Sequence, residues 1–422
     1  MEKLINHRKI LTSNFLSLSG LQIVNYILPL VTLPYLIRVL GPEKFGLIAF
    51  SQAVIQYFVF TTEYGFNLSA TRGVSINRDN KEKISEIFSS VMLIKFALMI
   101  FCFLILCLMV FIIDKFNVEW LLYILTFGMV VGNVLFPVWF FQGMERMREV
   151  AILHILSKTI FTISIFIFIR IQADYIYVPL INSAGFIFTG ILSLWLIFRQ
   201  FGIKIKFYSF QNIRNEILAG WHVFVSQISV TLFTNTNIFI LGLFHSMTIV
   251  GYFSIAEKIA RAVINLSIPL STTIYPRTAV LFQESTEAAL AFLKKILIFG
   301  GGLLGGLSII LFVAAEPLTW LIAGTRIPEV AILIRIMAIL PLTIFVDNIY
   351  GTQILLNVGK EREFMQAVLY SGIAALILAM VFVPNWGAPA SASVFLLSEL
   401  LVLIFMVNAA RKSGIRLFSR VA

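Results

Sequence analysis

Apolar residues fall in blocks of roughly twenty, nearly end to end, with short polar connections between them. A helix needs about 20 apolar residues to cross a hydrocarbon core about 30 Å thick. The blocks predict about twelve membrane-spanning helices. In the first half they cover 11–36, 45–64, 84–113, 120–141, 150–169 and 175–198. In the second half they cover 220–244, 250–275, 292–314, 328–355, 364–383 and 388–409. A β-barrel would instead alternate apolar and polar positions over about ten residues, and no such alternation is present. The longest polar connections, 67–83 and 199–219, are too short for a separate soluble domain. The expected fold is therefore all-α and integral to the membrane.

Charge orients these helices. Lys3, Arg8 and Lys9 precede the first block, and Arg72, Arg78, Lys81, Lys83, Arg146 and Arg148 follow the second and fourth. The same side continues with Arg199, Lys204, Lys206, Arg214, Arg277, Lys294, Lys295, Lys360 and Arg362, then with Arg411, Lys412, Arg416 and Arg420. The opposite connections hold only Lys44, Lys115, Arg170 and Arg326. Cytoplasmic loops carry the Lys/Arg excess, so both termini are expected in the cytoplasm. The net charge of +11 mostly records this topology. Basic residues dispersed over many short loops do not form a nucleic-acid surface.

Six helices per half predict two bundles, 1–205 and 206–422, related as parallel repeats. One sequence likeness bears on this. Gly46-Leu47-Ile48-Ala49-Phe50-Ser51-Gln52 opens the second block, and Gly251-Tyr252-Phe253-Ser254-Ile255-Ala256-Glu257 opens the eighth. Each begins on glycine and reaches a polar Gln or Glu six residues later. Two readings stand: chance likeness between apolar strings, or a true repeat.

Composition agrees with lipid as the solvent: 59% of residues are hydrophobic and 13% charged, against roughly 45–50% apolar for soluble domains. The basic N-terminal stretch has no small-residue cleavage site behind its apolar run, so that run is expected to be a permanent helix. Cys102 and Cys107, five residues apart on one helix, point in different directions and cannot join. The four histidines are scattered and suggest no metal site. No GxxxxGK[ST] motif is present, so direct drive by ATP is not expected.

Ionisable side chains within the spans carry the candidate chemistry, because burying them in a membrane is costly. They are Arg38, Lys95, Lys158, Glu257, Lys258, Arg261, Arg335, Asp347 and Glu399. Arg38 and Arg335 stand near span ends or a kink, where snorkelling accounts for them equally well. Glu257, Lys258 and Arg261 form the densest group. Glu257 and Arg261 share a helix face at i and i+4, and the alternative reading is a self-neutralised structural triad. Thr234-Asn235-Thr236-Asn237 in the seventh span and Gln22, Asn25 and Tyr26 in the first offer amides and hydroxyls. Such groups suit sugar hydroxyls, and they also join membrane helices. Pro29 and Pro34 each remove a helix hydrogen bond and predict a hinge in the first span.

The segment Leu33-Pro34-Tyr35-Leu36-Ile37-Arg38-Val39-Leu40-Gly41-Pro42-Glu43-Lys44-Phe45-Gly46 closely resembles the first extracytoplasmic hairpin of Wzx-type O-antigen and polysaccharide flippases. These belong to the multidrug/oligosaccharidyl-lipid/polysaccharide (MOP) exporter superfamily. Trp139-Phe140-Phe141-Gln142-Gly143-Met144-Glu145-Arg146-Met147 resembles the family's loop after the fourth helix. Tyr252-Phe253-Ser254-Ile255-Ala256-Glu257-Lys258 and Tyr275-Pro276 resemble its eighth helix and that helix's end. The resemblance covers essentially the whole chain. It implies two six-helix bundles forming a V around a central cavity, in the bacterial inner membrane. It also implies the cargo: an undecaprenyl-diphosphate-linked oligosaccharide, flipped from the cytoplasmic to the periplasmic leaflet, with a polymerase and chain-length proteins as pathway partners.

A sugar–diphosphate head crossing lipid needs cations for its phosphates and hydrogen-bonding groups for its hydroxyls. Arg38, Lys95, Lys158, Lys258 and Arg261, with Asn25, Asn235 and Asn237, are the candidate substrate-binding residues. Glu257, Asp347 and Glu63 are candidates for coupling to H+ or Na+; no other cofactor is expected. A cation-coupled multidrug exporter of the same superfamily would favour an anionic or aromatic pocket. A membrane glycosyltransferase or O-antigen polymerase would need a large outer loop, and 114–119 and 172–174 are short.

Overall fold

The computed structural model describes residues 2–206 and 208–417; side chains are described for these except 2–27, 29, 30, 222 and 226–235. Among the described residues there are helices and turns and no strand. In lipid a helix satisfies its own backbone polar groups, which is why such apolar blocks become helices. Each expected span falls largely on helical residues, with breaks at 136–137, 265–266 and 338–339. Among the described residues, eight helical stretches are long and apolar enough to cross a membrane, and two of them, of 46 and 52 residues, have length to spare.

Contacts divide the chain into two compact units. The first holds residues 1–40 and 51–231, the second 41–50 and 232–422. Helix α1 (Glu2–Glu63) breaks at Gly41 (φ 70, ψ 171), a conformation that favours glycine. Pro34 stays within helical geometry, so the interruption comes at the Gly41-Pro42 turn signal. Pro29, Asn25 and the other polar side chains of 2–27 lie outside the described side chains.

The first unit continues with α2 (Phe66–Ile76), α3 (Lys81–Ile112), α4 (Asp114–Asn117), α5 (Trp120–Leu135), α6 (Val138–Gly143), α7 (Met147–Phe168) and α8 (Tyr177–Phe201). The expected polar connection 67–83 thus contains a helix, α2. Gly65 (φ 77) sets its start, and Phe66, Ala70 and Val74 bury one face. The Trp139–Met147 segment likewise contains the short helix α6, and Trp139, Phe140 and Phe141 are fully buried with Phe88. The two short helices are tied together: Thr71 Oγ1 donates to the Trp139 carbonyl (3.1 Å), and Arg78 Nε donates to the Gly143 carbonyl (2.6 Å). Arg78 also pairs with Glu145 at 2.8 Å. Glycines 128, 132 and 190 bring α5 and α8 into close contact, as small residues do between membrane helices.

The second unit comprises α10 (Met247–Ile264), α11 (Ser267–Glu284), α12 (Thr286–Val313), α13 (Ala315–Ala323), α14 (Pro328–Met337), α15 (Leu340–Asn348) and α16 (Glu361–Lys412). The division between units falls inside α9 (Phe210–Phe244). The expected span 250–275 is broken at Asn265–Leu266 into α10 and α11. A π-helical segment, Ile349–Leu355, follows α15. α16 turns at Gly387 (φ 60, ψ −137), between Pro384 and Pro389. Its two legs fold back on each other, since the Tyr370 and Phe405 rings lie 6.5 Å apart.

Candidate functional site

Helix α10 buries residues all round, among them Val250, Gly251, Phe253, Ser254, Ile255, Ala256, Glu257, Ile259 and Ala260. Lys258 is exposed. The expected i, i+4 pair forms: Arg261 Nε and Nη2 both donate to one Glu257 oxygen, at 2.8 and 2.7 Å. The Arg261 guanidinium also sits over the Phe395 ring, 5.3 Å from its centre. Such a contact contributes about 0.5–2 kcal/mol, depending on desolvation. Phe395 and Glu399 are one turn apart on α16, and Arg261 feels the Glu399 charge as well. The guanidinium is thus held by one acid and a ring, with a second acid near enough to act through its charge.

Glu399 extends the cluster further. Its carboxyl feels the charge of Asp347, near the end of α15, and both residues are buried. Neither Asp347 oxygen meets a donor among the described residues. Two carboxyls so placed, away from water, need a cation or a proton between them. Asp347 stands directly before the π-helical segment, a distortion frequent at functional sites. Ser271 and Gln353 brace that segment. Gln353 Nε2 donates to the Ser271 carbonyl (3.1 Å) and hydroxyl (3.2 Å), and Ser271 Oγ donates to Asn348 Oδ1 (2.5 Å).

Lys258 feels Glu257 and Arg261 electrostatically but, among the described residues, forms no hydrogen bond or ion pair. The second unit therefore sets three acids, one restrained arginine and one uncommitted ammonium group along connected helices.

The first unit holds a different cluster. Lys95 on α3 is only 2% exposed and feels the charge of Glu63, at the end of α1. Asn133 on α5 donates to Glu63 at 3.2 Å. Lys95 and Glu63, read separately from the sequence, are thus near enough to influence each other electrostatically. Lys158 is half-buried on α7, one turn from His154, whose ring packs against Phe136 at 4.9 Å. Arg38 is exposed in the last turn before Gly41. Asn237 is buried near the end of α9, and the Asn235 side chain lies outside those described. Glu399, Asn133 and the Ser271–Gln353 brace had no role assigned from sequence. An acid within an apolar span was the one available signal for Glu399.

Comparison with known proteins agrees with this arrangement. Residues 11–282 match the family described as polysaccharide biosynthesis protein. A protein of Escherichia coli (strain K12) named "Putative O-antigen transporter" is 30% identical over 403 residues, covering 96% of this chain and 97% of that one. Two solved structures share the fold. One is an inward-facing multidrug resistance MATE family transporter of the MOP superfamily, with TM-score 0.71, 14% identity, and coverage of 92% of this chain and 95% of that one. The other is the lipid II flippase MurJ in an inward closed conformation, with TM-score 0.71, 12% identity, and coverage of 94% and 87%. The chain belongs to the polysaccharide biosynthesis protein family and is a multi-pass membrane protein.

Proposed function

We propose that this protein flips an undecaprenyl-diphosphate-linked oligosaccharide, an O-antigen repeat unit, from the cytoplasmic to the periplasmic leaflet by alternating access. The observation that carries this reading is the end-to-end similarity to the Escherichia coli protein named for O-antigen transport. The charged cluster on α10 supports it. Lys258 offers an ammonium group to one phosphate, and Arg261 can offer its fork once it leaves an acid partner. The polyprenyl tail stays in lipid while the head crosses. In this reading the protein lies in the inner membrane with both termini cytoplasmic, as the loop charges require. An inside-negative potential favours outward movement of each negative charge by about 2.3 kcal/mol per 100 mV.

The acids supply the coupling. When Arg261 turns to the diphosphate, Glu257 and Glu399 lose a counter-charge, and H+ or Na+ can replace it at Asp347 and Glu399. Pro34, with Pro29, gives the first helix compliance during the cycle. A polymerase and chain-length proteins would receive the exported units.

Gene deletion tests the reading. Surface polysaccharide should disappear, lipid-linked units should accumulate on the cytoplasmic leaflet, and the intact gene should restore export. Normal surface polysaccharide in the deletion strain would overturn it. The Asp347–Glu399 pair also suits a cation-coupled drug exporter. That second reading requires the deletion strain to become drug-sensitive with its polysaccharide unchanged.

A further inference from the structure

The stretch 199–219 is polar in sequence, yet it contains the first turns of α9 (Phe210–Phe244). Phe210, Arg214, Ile217, Leu218 and Trp221 recur at i, i+4, i+7, i+8 and i+11, which places them on one face of that helix. The face is exposed: Phe210 is 78% exposed, Leu218 57% and Trp221 49%. The other side of the helix is taken up by the first unit. Ile213 packs against the core around Phe88 and Trp139. Glu216 is half-buried and feels the charges of Lys83 and Glu86 on α3.

Two sets of contacts fix the depth of this segment. Ahead of α9 the chain lies along the start of α3. The Lys204 and Lys206 backbone N–H groups donate to Ser85 Oγ (3.4 Å) and Ser89 Oγ (3.3 Å), and Ser89 Oγ donates to the Lys204 carbonyl (3.4 Å). α3 begins at Lys81, so Ser89 stands about 12 Å along it. Past the exposed face, α9 crosses the junction of α1 and α2. The Tyr64 and Phe224 rings stack at 4.6 Å, and a Cβ placed on Gly220 would lie 2.9 Å from the Tyr64 carbonyl oxygen. Tyr64 is the last residue of the second expected span. Segment 203–221 therefore runs at the level where α3 enters lipid and the second span leaves it. α9 has 35 residues, a length of about 52 Å for a hydrocarbon core of about 30 Å, so its first turns can lie in the headgroup layer.

Cations flank exposed apolar groups along this level. Arg199, in the last turn of α8, sits over the exposed Trp195 ring, 5.0 Å from its centre. Lys204 and Lys206 are exposed on either side of Ile205, itself 66% exposed. Arg214 is exposed on the Phe210 face. Among the described residues, Lys204, Lys206 and Arg214 form no ion pair. The only acid between 199 and 221 is Glu216, which lies by Lys83 and Glu86. Tryptophan favours the membrane–water interface, and an apolar stripe edged with Lys and Arg lies in the headgroup layer with its cations toward anionic lipid. Water alone would leave the stripe uncovered, and zwitterionic lipid alone would leave the cations without counter-charge.

We propose that segment 199–221 is a docking surface for anionic phospholipid, with Phe210, Leu218 and Trp221 against the acyl chains and Lys204, Lys206 and Arg214 on the headgroup phosphates. The partner is a lipid of the phosphatidylglycerol class. Its place is beside the first unit, in the leaflet that the loop charges mark as cytoplasmic. The inference concerns the lipid around the protein and does not rest on the cargo.

Fluorescence quenching by acyl-brominated lipid tests this. With Cys102 and Cys107 replaced by alanine, Leu218→Cys carries an NBD fluorophore in the full chain, reconstituted in phosphatidylcholine bilayers. Brominated phosphatidylglycerol should occupy the site about threefold better than brominated phosphatidylcholine at equal mole fraction, and about 1 M salt should erase the preference. Lys204→Gln, Lys206→Gln and Arg214→Gln together should also erase it, while quenching by brominated phosphatidylcholine persists. The same fluorophore at Phe111→Cys, near the far end of α3 and 84% exposed, should show no preference. Equal quenching by the two lipids at Leu218→Cys would overturn the docking surface. So would quenching by neither, which would place water or a protein against the stripe, and so would an equal preference at Phe111→Cys. A preference that survives high salt, or the loss of the three cations in a folded variant, would overturn it as well. The salt measurement needs only the reporter, so it decides the matter even where the triple variant misfolds. No measurement uses cargo, so failure here is separate from failure of the export reading.

Discussion

The two units solve the problem of buried charge differently. In the first, Lys95 feels the charge of Glu63, and Asn133 donates to a Glu63 oxygen. In the second, Arg261 pairs with Glu257 and feels the charge of Glu399, and Glu399 feels Asp347, which no donor satisfies among the described residues. In the first unit one cation and one anion balance. A cluster with surplus acid, a restrained arginine and an exposed lysine still has chemistry available. Under the proposed function, the expectation is a structural role for the first cluster and a transport role for the second.

The strongest test of that contrast is the Lys258→Ala, Arg261→Ala double variant. Export in a flippase-null strain should fall below about 1% of wild type with normal membrane abundance, since a desolvated phosphate–cation contact is strong. Wild-type export would move substrate recognition to Lys95, Lys158 or Arg38. A smaller effect is expected from Glu399→Gln, which removes a partner from both Arg261 and Asp347. Turnover should drop about tenfold and its dependence on ion gradients should flatten, measured in inverted vesicles. Unchanged gradient dependence would leave coupling to Glu257 or Glu63.

The first unit should respond in abundance instead of turnover. Lys95→Met alone leaves half-buried Glu63 without the nearby charge of Lys95, although Asn133 still donates to it. Membrane levels should fall, and Glu63→Gln in the same chain should restore both level and export. A double variant that inserts normally yet exports nothing would return Lys95 to the substrate path. The mildest effect is expected at Pro34, which keeps helical geometry. Pro34→Ala should slow export about two- to threefold, with abundance unchanged. Equal loss of both would make that proline a folding residue only.

The helices were legible because lipid leaves the chain little choice: an apolar block of twenty residues becomes a helix. The Glu257–Arg261 pair was legible for a local reason, four-residue spacing on one helix. Glu399 could be seen as an acid out of place, but its neighbours come from helices more than fifty residues away in sequence. Lys95 and Glu63 were assigned different tasks because nothing in their spacing announces a tertiary partnership. Breaks were harder to locate than blocks. The proline at 34 is a louder signal than the glycine at 41, yet only glycine accepts the left-handed dihedral that interrupts the helix. Likewise, α2 hides inside a segment that looks like a connection, because a helix lying outside the apolar blocks needs only one buried stripe, whereas α6 takes up the end of the expected span 120–141.

The turn at Gly387 bears on how the protein is made. Two legs of one 52-residue helix fold back about a single non-helical residue, and His245 Nε2 lies 2.7 Å from the Val383 carbonyl, adjacent to that turn. Between the legs there is no hydrophilic stretch for the insertion machinery to thread across separately. The pair must enter the bilayer together, as one wedge. An epitope inserted at Gly387 would split that wedge and crowd the His245 ring, whereas one at Gly359, with open space around it, would leave assembly intact.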